Sequence, residues 1–228
     1  MKYRALLLVS VTVSQLFFTG CSKTNDAADA GSAINFQLQS INRIATLNQR
    51  VAQNATISWT AGSGFTTQIK FEAKSASNAE VEFKSQSQQR VDLIKDAASP
   101  LGTITLPGGI YSEVEFKIVL NKSQGEPALQ LNGTFTSGTT NIPVVFTVNT
   151  ETEIKAEKEN VVVSDNSVYK SLTTLNLSLL TKGITETMLN SAPRTNGVIE
   201  ISSASNTDIY NKLLLNLNDL DSSEFEHD

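Results

Sequence analysis

From Ile34 onward, apolar and polar residues alternate with a period of two, one short segment after another. A strand turns successive side chains to opposite faces, so this pattern fits strands with one buried face and one wet face. Ile57 and Trp59 begin the series, and Ile69, Phe71 and Ala73 alternate with Gln68, Lys70, Glu72 and Lys74. Val81 and Phe83 sit in the same way among Glu80, Glu82 and Lys84, and Val91 with Leu93 starts a further short segment. Ile104 and Leu106 close one strand, and Val114, Phe116, Ile118 and Leu120 line the next. Leu129, Leu131 and Phe135 continue the rule, followed by Val144, Phe146 and Val148, then Ile154 and Ala156, and later Leu175, Leu177 and Leu179. Val161-Val162-Val163 reads as a strand buried on both faces. Gly62-Ser63-Gly64 and Pro107-Gly108-Gly109 read as turns between strands, because Pro fixes φ and Gly permits positive φ. About ten short strands separated by turns predict a mainly β chain of antiparallel strands, closed as a sandwich or a barrel.

The C-terminal part changes period. Ile184, Met188 and Leu189 lie at helical spacing between Gly183 and Pro193, and Val198 to Ile201 reads as one more strand. Ser205 or Asn206 caps a second helix, in which Ile209, Leu213 and Leu217 form a stripe beside Tyr210 and Leu214. The expectation is one domain over residues 34–219 with two short C-terminal helices and no internal repeat. Residues 220–228 carry Asp221, Glu224, Glu226 and Asp228 and read as an acidic, disordered tail. A calcium ion bound by these acids together with Asp219 is the alternative, although the fixed spacing of a calcium loop is missing.

Ahead of the domain, Lys2 and Arg4 precede an apolar run over residues 5–18, which ends in Phe18-Thr19-Gly20-Cys21. The run is 14 residues long, short of the roughly 20 that a helix needs to cross a bilayer. A basic start, an apolar middle and small residues at a cut site describe a secretory signal. Residues 18–21 resemble the lipobox of bacterial lipoproteins. The resemblance implies residues 1–20 as a signal peptide, cleavage after Gly20, and a diacylglycerol thioether on Cys21. Two or more acyl chains would then anchor the chain stably to the membrane, where one would not. Ala28-Asp29-Ala30 is a rival cut site that would release a soluble protein, and a buried structural cysteine is the other reading of Cys21. Residues 21–33 are small, polar and acidic, and read as a flexible tether. Lys23, Asp26 and Asp29 resemble the signal that follows the lipidated cysteine in surface lipoproteins of Bacteroidota.

Cleavage after Gly20 removes Lys2 and Arg4 and leaves 16 basic against 23 acidic side chains, a formal charge of −7. A mildly acidic chain without a basic cluster argues against nucleic acid as a partner. The only cysteine is Cys21, so no disulfide is available within the chain. The only histidine, His227, stands next to the C-terminal residue, which leaves Ser and Thr hydroxyls without the usual general base. Cys and His do not cluster as zinc ligands do, and no phosphate-binding glycine loop occurs. Glu72, Glu80, Glu82, Glu113, Glu115, Glu151 and Glu153 alternate with apolar residues, as on a solvated sheet face. Lys70, Lys74, Lys84 and Lys117 share that face as cross-strand partners. Trp59, Tyr111, Tyr169 and Tyr210 are the aromatics on which a sugar would stack. Trp59 reads as core, Tyr111 as a plug at the end of the sandwich, and Tyr210 as part of the helix stripe. No catalytic, metal or cofactor-binding residue is expected.

The stretch Leu106-Pro107-Gly108-Gly109-Ile110-Tyr111, followed by Val114, Phe116 and Ile118, resembles a strand start in prealbumin-like and carbohydrate-binding-like β-sandwich lipoproteins, a pattern shared by fimbrillin-type surface proteins of the same bacteria. The resemblance covers residues 102–154 and the 172–179 strand, and it implies an antiparallel β-sandwich, prealbumin- or immunoglobulin-like, at the outer membrane, anchored through Cys21. The expected role is a non-catalytic binding or assembly module with a protein or glycan partner. A fimbria-like structural or accessory subunit and a glycan-binding or glycan-processing surface protein are the alternatives.

Overall fold

The computed structural model describes residues 31–47, 55–75, 80–95, 97–123, 125–217 and 221–227; Cys21 and the leader lie outside them. The chain forms β1 (Ser32–Ile41), β2 (Ile44–Thr46), β3 (Thr56–Ser75), β4 (Glu80–Asp92), β5 (Ser99–Leu106) and β6 (Gly109–Leu120). It continues with β7 (Leu129–Ser137), β8 (Thr140–Val148), β9 (Thr152–Val163), β10 (Val168–Asn176), α1 (Leu177–Leu180) and α2 (Glu186–Asn190). The last elements are β11 (Ile199–Ile201), α3 (Thr207–Leu217) and β12 (Asp221–His227). Burial follows the sequence alternation. Ile34, Phe36 and Leu38 of β1 point inward, as do Leu129, Leu131 and Phe135 of β7 and Ile142, Val144, Phe146 and Val148 of β8. The fold is mainly β.

The smaller sheet has the order β12-β10-β1-β5 and the larger one β11-β8-β7-β3-β6-β9, with β2 and β4 also paired to β3. The 20-residue β3 is the spine of the larger sheet. Its first half runs between β2 and β7, and its second half between β4 and β6. Register shifts at Trp59/Ala61 and Thr66/Gln68 separate the halves, and such bulges bend a strand. The two sheets face each other through Phe36 of β1, which stacks on Phe116 of β6 at 4.2 Å and tilts against Phe71 of β3 at 5.6 Å. At the other end α3 turns Ile209, Tyr210, Leu213 and Leu217 inward, and Tyr210 packs on Phe146 of β8 at 6.0 Å.

Most neighbouring strands run antiparallel, as the expected sandwich requires, but two pairs depart from it. β1 runs parallel to β10, and β11 runs parallel to β8. Parallel neighbours need long connections, and both pairs have them, the second by way of β9, β10, α1 and α2. Among the described residues there are three short helices rather than two, because Leu177 and Leu179 belong to α1, capped by the Asn176 side chain, and not to a strand. Val162 is exposed between buried Val161 and Val163, so that run is an alternating strand and not a doubly buried one. The acidic segment expected as a disordered tail contributes β12, antiparallel to β10 with His227 opposite Tyr169.

The glycine-rich stretches also differ from expectation. Gly62-Ser63-Gly64 lies inside β3 and turns nothing. A Cβ on Gly62 would lie 2.5 Å from Leu131, and one on Gly64 would lie 3.1 Å from Leu120, so these glycines make room for core side chains. The Pro107-Gly108-Gly109 turn does connect β5 to β6. Gly108 serves there through close approach, its N–H donating to Asp165 Oδ1 at 3.2 Å. Tyr111 then closes the corner, donating its hydroxyl to the Pro107 carbonyl at 2.7 Å while its ring is buried. A buried tyrosine bonded to backbone a few residues upstream also fixes corners in immunoglobulin-type sandwiches.

Candidate functional site

The wet face of the larger sheet is charged in rows. The register brings Glu82, Glu72, Glu115 and Glu157 side by side across β4, β3, β6 and β9. The neighbouring row on the same face is Lys84, Lys70, Lys117 and Lys155. Like charges directly opposite each other are unfavourable, so the rows must be held by contacts between them. Those contacts are present: Lys117 pairs with Glu115 and reaches Glu72 at 3.9 Å, and Lys155 pairs with Glu115 and with Glu157 at 3.1 Å. Lys84 pairs with Glu82, and Lys70 reaches across β6 to Glu153 at 3.1 Å. Lys74 meets Glu113 directly across the strands at 2.9 Å.

Glu115 is the centre of this network and is buried by its neighbours. Burial pushes its carboxyl up, but the hydrogen bonds and charges of Lys117 and Lys155 outweigh burial and hold it below the ordinary value of 4.5. Hydrogen bonds to Glu115, and to Glu157 in the case of Lys155, hold both ammonium groups above their ordinary value. Carboxyl oxygens of Glu113, Glu115 and Glu157 lie within 4.8 Å of one another. Each Glu115 oxygen already faces an ammonium group, so the trio is organised by lysines and not as an open set of metal ligands. A carboxyl held low is also a poor proton donor near neutral pH.

Beside the rows, where β4, β3 and β7 meet, the same face sinks into a depression of about 390 Å³. It is lined by Ser63, Arg90, Asp92, Lys95, Gln130 and Asn132 together with Ala61 and Gly62. Arg90 donates to Ser63 Oγ at 3.2 Å and lies 3.8 Å from Glu126, which fixes the guanidinium at the rim. Asp92 Oδ1 accepts the Ile94 N–H at 3.0 Å and so shapes the turn that carries Lys95. Gln130 donates to Asn132 Oδ1 at 3.1 Å, which leaves the Asn132 amide NH₂ and the Gln130 carbonyl oxygen to meet a ligand. Two cations, one carboxylate, two amides and a hydroxyl around one depression, with net positive charge, suit an anionic or richly hydroxylated group.

The residues singled out in the sequence are distributed as follows. Glu72, Glu82, Glu113 and Glu115 share the wet face with Lys70, Lys74, Lys84 and Lys117, as their alternation with apolar residues indicates. Trp59, Tyr111, Tyr169 and Tyr210 are all buried, and the Tyr169 hydroxyl accepts the Ser164 N–H at 2.8 Å. Phe83 is the exposed aromatic among the residues whose side chains are described. Cys21 lies outside the described residues, and His227 is placed only by its backbone pairing in β12. The depression was not visible in the sequence, because its residues come from three strands and a turn and only strand register unites them. Among the described residues no helix is long and apolar enough to cross a membrane. No family model, curated protein or solved structure matches the chain.

Proposed function

We propose that the chain is a lipoprotein of the cell envelope, anchored to the outer membrane by lipid on Cys21, whose β domain is a non-catalytic binding or assembly module. The polar depression carries this reading, because Arg90, Lys95 and Asn132 bring donors and Gln130 a carbonyl oxygen to one place at the edge of the sheet face. The ligand class it suits is an anionic or hydroxyl-rich group, as found on acidic glycans or on carboxylate-bearing protein surfaces. Residues 21–33 would give the domain reach from the membrane.

Two measurements test the two halves of the proposal separately. The mass of the mature N-terminus should correspond to a lipidated chain beginning at Cys21, and Cys21→Ala should release the protein from membranes. An unmodified chain beginning after Ala30, or unchanged membrane association of the variant, removes the anchor. A glycan and envelope-protein binding screen with the full chain should yield a ligand whose affinity falls roughly tenfold or more in Arg90→Ala. A ligand indifferent to both Arg90→Ala and Lys95→Ala removes the depression as the site.

A fimbria-like subunit is the second reading, favoured by one observation. β1 lies between β10 and β5 and buries Ile34, Phe36 and Leu38, so its loss would leave a groove that a neighbour's strand can fill. Proteolysis confined to the chain before β2 should then convert the protein to polymers. A trimmed protein that stays monomeric or unfolds rejects this reading.

A further inference from the structure

β4 is paired on one side only among the described residues, by β3. Other outer strands are blunted. β5 contains Pro100 and has Gly102 at φ +153, β2 and β11 are three residues long, and β9 and β12 lie beside each other. β4 runs for 13 residues without Pro or Gly, so it presents a long row of unpaired N–H and C=O groups. Phe83 stands on that edge, 43% exposed, at the mouth of a cleft between the sheets lined by Phe36, Ile69, Leu101 and Ile104.

The charge pattern on this edge is complementary to itself. In an antiparallel pairing of two copies with Phe83 opposite the partner's Phe83, Glu82 faces the partner's Lys84 and Lys84 faces the partner's Glu82. The row Glu82-Glu72-Glu115-Glu157 then continues into the partner's lysine row, and the lysine row into the partner's acidic row. Each row of like charge, unfavourable within one copy, gains an opposite charge at the seam. Of the nearest registers that keep the same faces, the one centred on Lys84 sets Lys84 against Lys84 and Glu82 against the uncharged Gln86, and the one centred on Glu82 sets Glu82 against Glu82 beside two Lys84–Glu80 pairs. Of the three, the register centred on Phe83 alone gains opposite charges without setting like charges against each other.

We propose that the chain forms a two-fold dimer through β4, with Phe83 on the axis and the charge rows continuous across both copies. A two-fold pairing of identical edges closes on itself, so it yields dimers and not fibres. It also brings the two exposed Phe83 rings to the same face of the joined sheet, over the mouths of both clefts. The pairing does not depend on the anchor or on the polar depression.

Sedimentation of the full-length chain in detergent, across a wide concentration range, tests the proposal. The unaltered chain should associate reversibly to a dimer. Lys84→Glu and Glu82→Lys should each weaken the dimer roughly tenfold, since every change acts twice across the axis. The double variant Glu82→Lys with Lys84→Glu should restore the dimer. A monomer at all concentrations, a dimer unmoved by either reversal, or a double variant as weak as the singles overturns the proposal. A cross-linking measurement guards against misfolding of the charge variants. With Cys21→Ser as background, Phe83→Cys should link two copies on mild oxidation, because opposite residues on neighbouring strands approach within disulfide range. Ser85→Cys, which faces the partner's Val81, should not. Linking of both, of neither, or of Ser85→Cys alone overturns the register.

Discussion

At Gly133 only a hydrogen fits beside the buried Trp59. A Cβ there would stand 2.6 Å from the Ser58 carbonyl oxygen and 2.9 Å from the Trp59 ring. Gly133→Ala is therefore expected to destabilise the protein by about 1–3 kcal/mol, read as a lower urea midpoint. An unchanged midpoint would mean that β3 and β7 separate without cost. Tyr111→Phe removes the hydroxyl that closes the β5–β6 corner and leaves the Pro107 carbonyl without that donor. The expected loss is about 1 kcal/mol with the fold retained; an equally stable variant would show the hydrogen bond to be incidental. Both aromatic positions were legible in the sequence, Trp59 from its alternation with Ile57 and Tyr111 from its place after a Pro-Gly-Gly turn. The glycines of β3 were not. A glycine that turns a chain and one that makes room for a leucine look the same until the neighbouring strand is known.

At the scale of the element, the charged rows make stability depend on pH in a definable window. Glu115 has a lowered value in the folded chain, so its contribution is present above the ordinary carboxylate value and is lost as pH falls through the lowered one. Lys117 and Lys155 have raised values, so their contributions are complete below 10.5 and are lost as pH rises through the raised ones. The melting temperature should fall on acidification from about pH 7 to about pH 3, and Glu115→Gln should flatten that fall. Parallel profiles for the two proteins would remove Glu115 from the network. The sequence foretold a solvated face on which lysines answer glutamates. It did not foretell that four glutamates align in one row and four lysines in the next, because alternation sets the face of a side chain while register sets its neighbour.

Across the whole molecule, Phe36 joins the two sheets through Phe116 and Phe71. Phe36→Ala is expected to cost about 3–5 kcal/mol and to lower the cooperativity of unfolding, measured by calorimetry and by denaturant titration. A loss below about 1 kcal/mol would place the centre of the core elsewhere. The β class and the inward residues of most strands were legible from periodicity alone. Strand order, the two parallel pairs and β12 were not, since each depends on partners far away in the chain. The central position of β1 has a consequence in time. Ser32 bonds to Ser167, 135 positions later, and β1 finds its parallel neighbour only in β10. A chain made from its N-terminus can cover Phe36 with Phe71 and Phe116 and pair β1 with β5 early, but one edge of β1 stays unpaired until Val168–Asn176 has been synthesised. The open edge of β1 is among the last to be closed, and it is the place where a factor that escorts this protein as it emerges would act.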